Sequence, residues 1–203
     1  MNESLTALAA LLETRGYRAT VLETAKEATA YLQKSLAGLT VGIGGSMTAL
    51  EMGLDTALAP VCRLFWHWRP AEGRSAAEEM AGADTAEVYI SSVNAIAESG
   101  EIVNIDGNCN RVSAMVFGHE SVYLVAGKNK IAATEADALH RARNVAAPKN
   151  AQRLGRKTPC AALGERCYDC KSPERICRNL SVLWGKPATG AFTVVLIDET
   201  LGY

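Results

Sequence analysis

The sequence predicts an α/β fold: an open, largely parallel sheet with helices on both faces. Short apolar runs that read as buried strands alternate along the chain with amphipathic stretches of helical spacing. Glycine and other turn-forming residues recur where an apolar strand gives way to a helix, as parallel connections require. At 203 residues, 48% hydrophobic and with a formal charge of -1, the chain suits one domain over residues 1–203, including a cysteine-rich segment at residues 159–178.

Leu5, Leu8, Leu11 and Leu12 repeat at helical spacing and Gly16 follows as a stop, so residues 3–15 read as a helix. Residues 17–22 are strand-like. Thr24 and Glu27 form a capping box that opens a helix to about residue 36. A short strand over residues 39–43 enters Gly44-Gly45-Ser46, and residues 47–52 read as helix. Strands are predicted over residues 61–66 and 87–92, with a helix near residues 75–80 between them. Residues 97–105 form a hairpin turned at Ser99-Gly100, residues 110–117 a helix and residues 122–126 a buried strand. Thr134 and Asp137 imitate a capping box and open a helix to about Ala146 that Pro148 ends. Residues 192–197 are the final strand.

Charge and hydropathy exclude two classes of partner. No apolar run approaches a membrane span, so no membrane association is expected. Arg141, Arg143, Lys149, Arg153, Arg156 and Lys157 cluster, but a basic stripe without interleaved aromatics is a solvated face or a local anion contact, not a nucleic-acid surface. The acidic start Met1-Asn2-Glu3-Ser4 is no secretory signal, which favours a reducing, cytoplasmic setting.

In that setting four of the six cysteines stand out. Cys160, Cys167, Cys170 and Cys177 place one CxxC between two single cysteines, each seven positions away. Four such thiols offer the soft ligand set of zinc or an iron-sulfur cluster, against the alternative of ordinary buried thiols. Zinc ribbons usually carry two separate CxxC knuckles, so the spacing favours an iron-sulfur cluster of the four-iron type over zinc. Cys62 and Cys109 stand apart and read as small packing residues.

Two loops are candidates for a ligand site. Gly44, Gly45, Ser46, Met47 and Thr48 leave a strand and open a helix, so backbone N–H groups and hydroxyls converge where an anion is favoured; Ser46 as a plain N-cap is the simpler reading. The loop is neither a Walker motif nor a GxGxxG fingerprint. Asp106, Asn110 and Arg111 place a carboxylate, an amide and a guanidinium at a second strand-to-helix junction, with Asp106 and Asn108 as turn formers the alternative. Asn94 and Glu98 can reach the same rim, and Lys128-Asn129-Lys130 adds positive charge at the same sheet edge.

Gly44 to Thr48, Ser92-Val93-Asn94-Ala95-Ile96, the run from Gly100 to Gly107, Asn110-Arg111-Val112, Gly127-Lys128-Asn129-Lys130 and the Pro159-Cys160 to Cys177 segment, in this order, resemble the lactate-utilisation (LUD) domain family over residues 5–203. The resemblance implies a place in the superfamily of ribose-5-phosphate isomerase, acyl-CoA transferases and formyltetrahydrofolate cyclo-ligase, with a three-layer fold and the ligand at the strand ends. It implies a small anionic metabolite, in lactate or related 2-hydroxy-acid utilisation. No flavin or nicotinamide motif is visible, so a redox role would use the cysteine-bound cluster or a redox partner protein. The alternatives are a transferase or ligase acting on a CoA thioester or phosphorylated substrate, and a non-catalytic metabolite sensor. Asn94 stands where the isomerases carry an aspartate. A transferase nucleophile would be a glutamate, for which Glu51, Glu98 and Glu101 are available.

Overall fold

The computed structural model describes residues 2–203; Met1 lies outside the described residues. In chain order the elements are α1 (Glu3–Thr14), β1 (Arg18–Leu22), α2 (Ala25–Leu36), β2 (Thr40–Ile43), α3 (Met47–Glu51), α4 (Leu54–Leu58), β3 (Arg63–Phe65), α5 (Ala76–Asp84), β4 (Val88–Ser92), β5 (Ala95–Ala97) and β6 (Ile102–Asp106). There follow α6 (Asn110–Val116), β7 (Ser121–Gly127), a 3-10 turn (Lys128–Lys130), β8 (Ile131–Ala132), α7 (Glu135–Arg141), a π-helical turn (Ala142–Ala146), α8 (Ala147–Arg153), α9 (Pro159–Leu163), β9 (Asn179–Leu183) and β10 (Ala191–Ile197).

Side-chain caps set most helix starts. Asn2, Thr24, Ser46, Ser75, Thr134 and Thr158 each accept a backbone N–H from the first turn of the helix they precede. Among the described residues, only Ser75 and Glu78 close a full capping box. At Thr24 the Glu27 carboxylate reaches past the cap to the Glu23 N–H, at 3.0 Å.

Six strands pair in the order β1-β10-β7-β4-β2-β3, every pair parallel. Their residues alternate between two cores. Tyr89, Leu124, Val194 and Leu196 pack with Leu8 and Leu12 of α1 and Met115 of α6. Val88, Ile90, Val125 and Val195 pack with Leu32 and Leu36 of α2 and Leu54 and Leu58 of α4. Helices therefore cover both faces, and the apolar runs of the sequence are strands buried on both sides.

The single sheet expected from the sequence is incomplete. A second, mixed sheet runs β8-β5-β6-β9, with β5–β6 and β6–β9 antiparallel and β5–β8 parallel. Its core, Ala95, Ala97, Val103, Ala138 and Ala142, lies under α7. Strands of three and two residues, such as β5 and β8, are too short to leave a periodic signal.

The helix predicted to end before Pro148 instead continues to Arg153. Proline lacks an N–H, and its ring presses on the carbonyl four residues earlier, which normally breaks a helix. Here the Ala147 N–H bonds to the Ala142 carbonyl, five residues back, and the widened turn admits the ring.

Because the large sheet is parallel, β2, β4, β7 and β10 all end on one edge. β2 lies between β3 and β4, so the chain leaves it one way and returns on its other side. Such a switch point opens a crevice at the carboxyl ends of the strands.

Candidate functional site

A cleft of about 230 Å3 occupies that crevice. Gly45, Ser46 and Met47 line it after β2, Asn94 after β4, Asp106, Asn110 and Arg111 at the end of β6, and Lys130 after β7. Gly44 and Thr48 stand behind the lining. A side chain at Gly44 would run into the Tyr89 hydroxyl at 2.5 Å and Arg111 Cγ at 3.1 Å, so only glycine lets this strand end close against them. Thr48 is fully buried. Glu98 does not join the site: it lies exposed in the β5–β6 turn, where its N–H donates to the Ala132 carbonyl.

Hydrogen bonds fix what each of these groups can still offer. The Ser46 hydroxyl caps Ala49 at 3.0 Å and donates to Ser92 Oγ at 2.8 Å. Asp106 is the turn former of the simpler reading: its carboxylate accepts from the N–H groups of Asn108, Cys109 and Val112 at 3.1 to 3.2 Å. This holds Cys109 at φ 65, a left-handed conformation that an L-residue rarely takes. Arg111 is also occupied. Its Nη1 donates to the Ser92 carbonyl and Asn104 Oδ1, its Nη2 to the Ile105 carbonyl, and its Nε lies 3.7 Å from Asp106. The guanidinium that the sequence offered to a ligand is therefore spent on joining β4, β6 and α6. Asn94 is likewise tied by Oδ1, which accepts the Ile105 N–H at 2.6 Å.

Lys130 differs from all of these. It is 2% exposed, and its Nζ donates to Thr48 Oγ1 at 2.7 Å. Burial, then the nearby guanidiniums of Arg141 and Arg111, lower its pKa to about 7, with Glu51 opposing. The amine thus changes charge in the physiological range.

The rest of the lining escaped the sequence reading. His67 and Trp68, after β3, line the cleft with Asn150 and Arg153 of α8, Arg156 and Tyr203, and the Trp68 ring stands beside Gly45. The Arg153 guanidinium lies 4.4 Å from the Trp68 ring centroid, and Asn150 Oδ1 accepts from both Arg153 and the Tyr203 hydroxyl. Arg153 and Arg156 belong to the basic cluster whose reading included a local anion contact. Trp68 and Tyr203 carried no local signal, since only the fold brings them to the cleft. Among the described residues, Lys130, Arg111, Arg153 and Arg156 give the cleft four basic side chains against one acidic side chain, Asp106.

Beyond the cleft, Cys160, Cys167, Cys170 and Cys177 line one small cavity together with Arg143 and Arg175. The Asp169 N–H and Arg143 Nε both donate to Cys167 Sγ, at 3.3 and 3.5 Å. Arg175 stands beside Cys177 and Cys170, with its Nε buried and unpaired. Among the described residues no three Cys, His, Asp or Glu side chains are gathered closely enough to form an assembled ion site. Ala147 and Ile176 line both cavities, so one thin wall separates them. The Ile176 backbone also lies against Gly107, and the Arg178 N–H donates to the Asp106 carbonyl at 3.0 Å.

Residues 5–197 match the family model described as the LUD domain. The chain belongs to the LUD domain family. Among solved structures this LUD domain is similar to a DUF162 family protein from Deinococcus radiodurans, at TM-score 0.55 and 14% identity, covering 96% of each chain. A weaker likeness, TM-score 0.31 at 16% identity, is to eIF2B beta from Chaetomium thermophilum, over 64% of this chain and 43% of that one. No curated protein matches. The first likeness supports the three-layer fold. Among the described residues of this LUD domain no glutamate lines the cleft. Glu51 accepts from the Gly202 N–H, and Glu101 from Arg15 and Ser99.

Proposed function

We propose that this LUD domain protein binds a small anionic metabolite of the 2-hydroxy-acid type in the cleft, beside a cysteine-ligated metal centre, as part of lactate or related acid utilisation. The observation that carries the reading is the charge of the cleft. Its one carboxylate is consumed by backbone N–H groups, while Lys130, Arg153 and Arg156 remain to meet an anion. The volume suits a metabolite of a few heavy atoms rather than a nucleotide cofactor.

The cysteine cavity fits a metal group by its chemistry. Four thiols share it, a backbone N–H and a guanidinium already point at Cys167 sulfur, and the buried Nε of Arg175 lacks an acceptor that cluster sulfur would supply. Cys160, Cys167, Cys170 and Cys177 would hold the group, with an iron-sulfur cluster preferred to zinc on spacing. A cluster of that kind supplies one-electron transfer, and a partner protein would carry the electrons away. Arg143 and Arg175 would offset the negative charge of the thiolates.

Trp68 provides the test of the cleft. Lactate, pyruvate, sugar phosphates and CoA esters are titrated into anaerobically purified protein while tryptophan fluorescence and thermal midpoint are followed. Saturable quenching with lactate or pyruvate, shifted to about tenfold higher concentration in Arg153→Ala, is the expected result. A response to CoA esters alone would favour the transferase class. Metal analysis of the same sample tests the cysteines: absence of both iron and zinc removes the metal centre from the reading.

A further inference from the structure

Lys130 is the one group at the cleft whose chemistry the binding role does not exhaust. A lysine that merely neutralises a carboxylate is usually exposed or ion-paired, and among the described residues Lys128 illustrates this, 3.1 Å from Asp198. Lys130 is buried, has no carboxylate within ion-pair distance among the described residues, and finds only the Thr48 hydroxyl. The two groups that bear on it most closely, Arg141 and Arg111, are cations anchored elsewhere: Arg141 donates to the carbonyls of Asn129 and Asn94, Arg111 to those of Ser92 and Ile105. Fixed like charges beside a desolvated amine favour its neutral, nucleophilic form. Arg153 and Arg156 line the same cleft and offer guanidinium donors to a carboxylate.

We propose that Lys130 is a nucleophile toward small 2-oxo acids, forming an imine with the carbonyl carbon while Arg153 and Arg156 hold the substrate carboxylate. The Nζ lone pair forms the new C–N bond and the carbonyl π pair moves to oxygen, which takes a proton. The amine then loses its proton, the hydroxyl leaves as water with a second proton, and the C=N bond closes. No electrons are gained or lost. The product is an electron-poor centre that acidifies the neighbouring C–H bonds, so the chemistry served would be proton exchange, addition or decarboxylation at a 2-oxo acid.

This inference deepens the anion-site reading and rests on it. The full-length protein is incubated with pyruvate and cyanoborohydride near neutral pH, digested, and mapped by mass spectrometry. Reductive trapping is expected at Lys130 roughly a hundredfold faster than at the surface residues Lys26 and Lys34, because far more of its amine is neutral there. Inorganic phosphate, occupying the cleft without a carbonyl, should slow labelling at Lys130 and leave the surface sites unchanged. Lys130→Arg should lose the label while keeping its fold by circular dichroism; if that variant fails to fold, phosphate competition on the natural protein still decides. Labelling of Lys130 no faster than Lys26 overturns the proposal. If pyruvate raises the thermal midpoint without labelling Lys130, the anion site stands and the covalent step falls; if it does neither, both fall.

Discussion

Keeping Lys130 buried is expensive for the fold at neutral and acid pH. Its pKa drops from 10.5 unfolded to about 7 folded, so between those values the unfolded chain binds more protons and stability rises with pH. The penalty is full below about pH 7, on the order of 5 kcal/mol, and is relieved toward pH 10. Denaturant titrations across this range should show the rise, and Lys130→Met should flatten it by stabilising the protein at pH 6. Phosphate or lactate should reverse the effect by favouring the charged amine. Binding is then expected to take up a proton near pH 8 and to weaken as pH rises, which calorimetry in buffers of different ionisation enthalpy detects. Arg111 and Arg153 separate structure from recognition. Arg111→Ala removes bonds to three parts of the chain and should lower stability by about 3 kcal/mol. Arg153→Ala removes only an Asn150 and Tyr203 contact and the stack on Trp68, so it should weaken anion binding about tenfold while costing less than about 1 kcal/mol.

At the scale of elements, what was legible in the sequence was what local chemistry decides. The leucine spacing of α1, the caps at Thr24 and Ser46, the Ser99-Gly100 turn and the strand-to-glycine junction after β2 each declare themselves within a few residues. The first wall of the cleft could be read for that reason. The second wall depends on long-range contacts, and Glu79 shows how. Its fully buried carboxylate accepts the N–H groups of Trp66 and Ala71 at 2.7 and 2.8 Å and pairs with Arg74, clamping the loop that carries His67 and Trp68. The Ser75 capping box marks Glu78 as the cap partner, but nothing within α5 marks Glu79 for burial. Glu79→Ala strands the buried Trp66 N–H, the part-buried Ala71 N–H and a guanidinium, so a loss of about 2 kcal/mol is expected, with reduced tryptophan quenching by anions even where the fold persists. Both quantities come from one fluorescence-detected unfolding series.

Across the whole molecule the two candidate sites are not independent, since the segment ending in Cys177 braces the Asp106–Gly107 turn and shares Ala147 and Ile176 with the cleft. Any metal bound by the cysteines should therefore change anion affinity, and by linkage the anion should change metal affinity by the same factor. Removing metal with a chelator is expected to lower the thermal midpoint and weaken lactate or phosphate binding several-fold; equal affinities with and without metal would show that the wall transmits nothing. The π turn that admits Pro148 has its own consequence for how such a protein can change by insertion and deletion. Arg141 and Arg153, twelve residues apart, would diverge by about 120° around a regular helix, but the extra residue absorbed by the wide turn brings them to within about 20°. Deleting one residue between 142 and 146 would restore an ordinary helix and leave Asn150 and Arg153 facing as they do now, still about 20° from Arg141, but would press the proline ring on a regular turn. The extra residue thus serves the seating of Pro148 rather than the aim of Arg153, and a relative lacking both the residue and the proline should keep the same cleft.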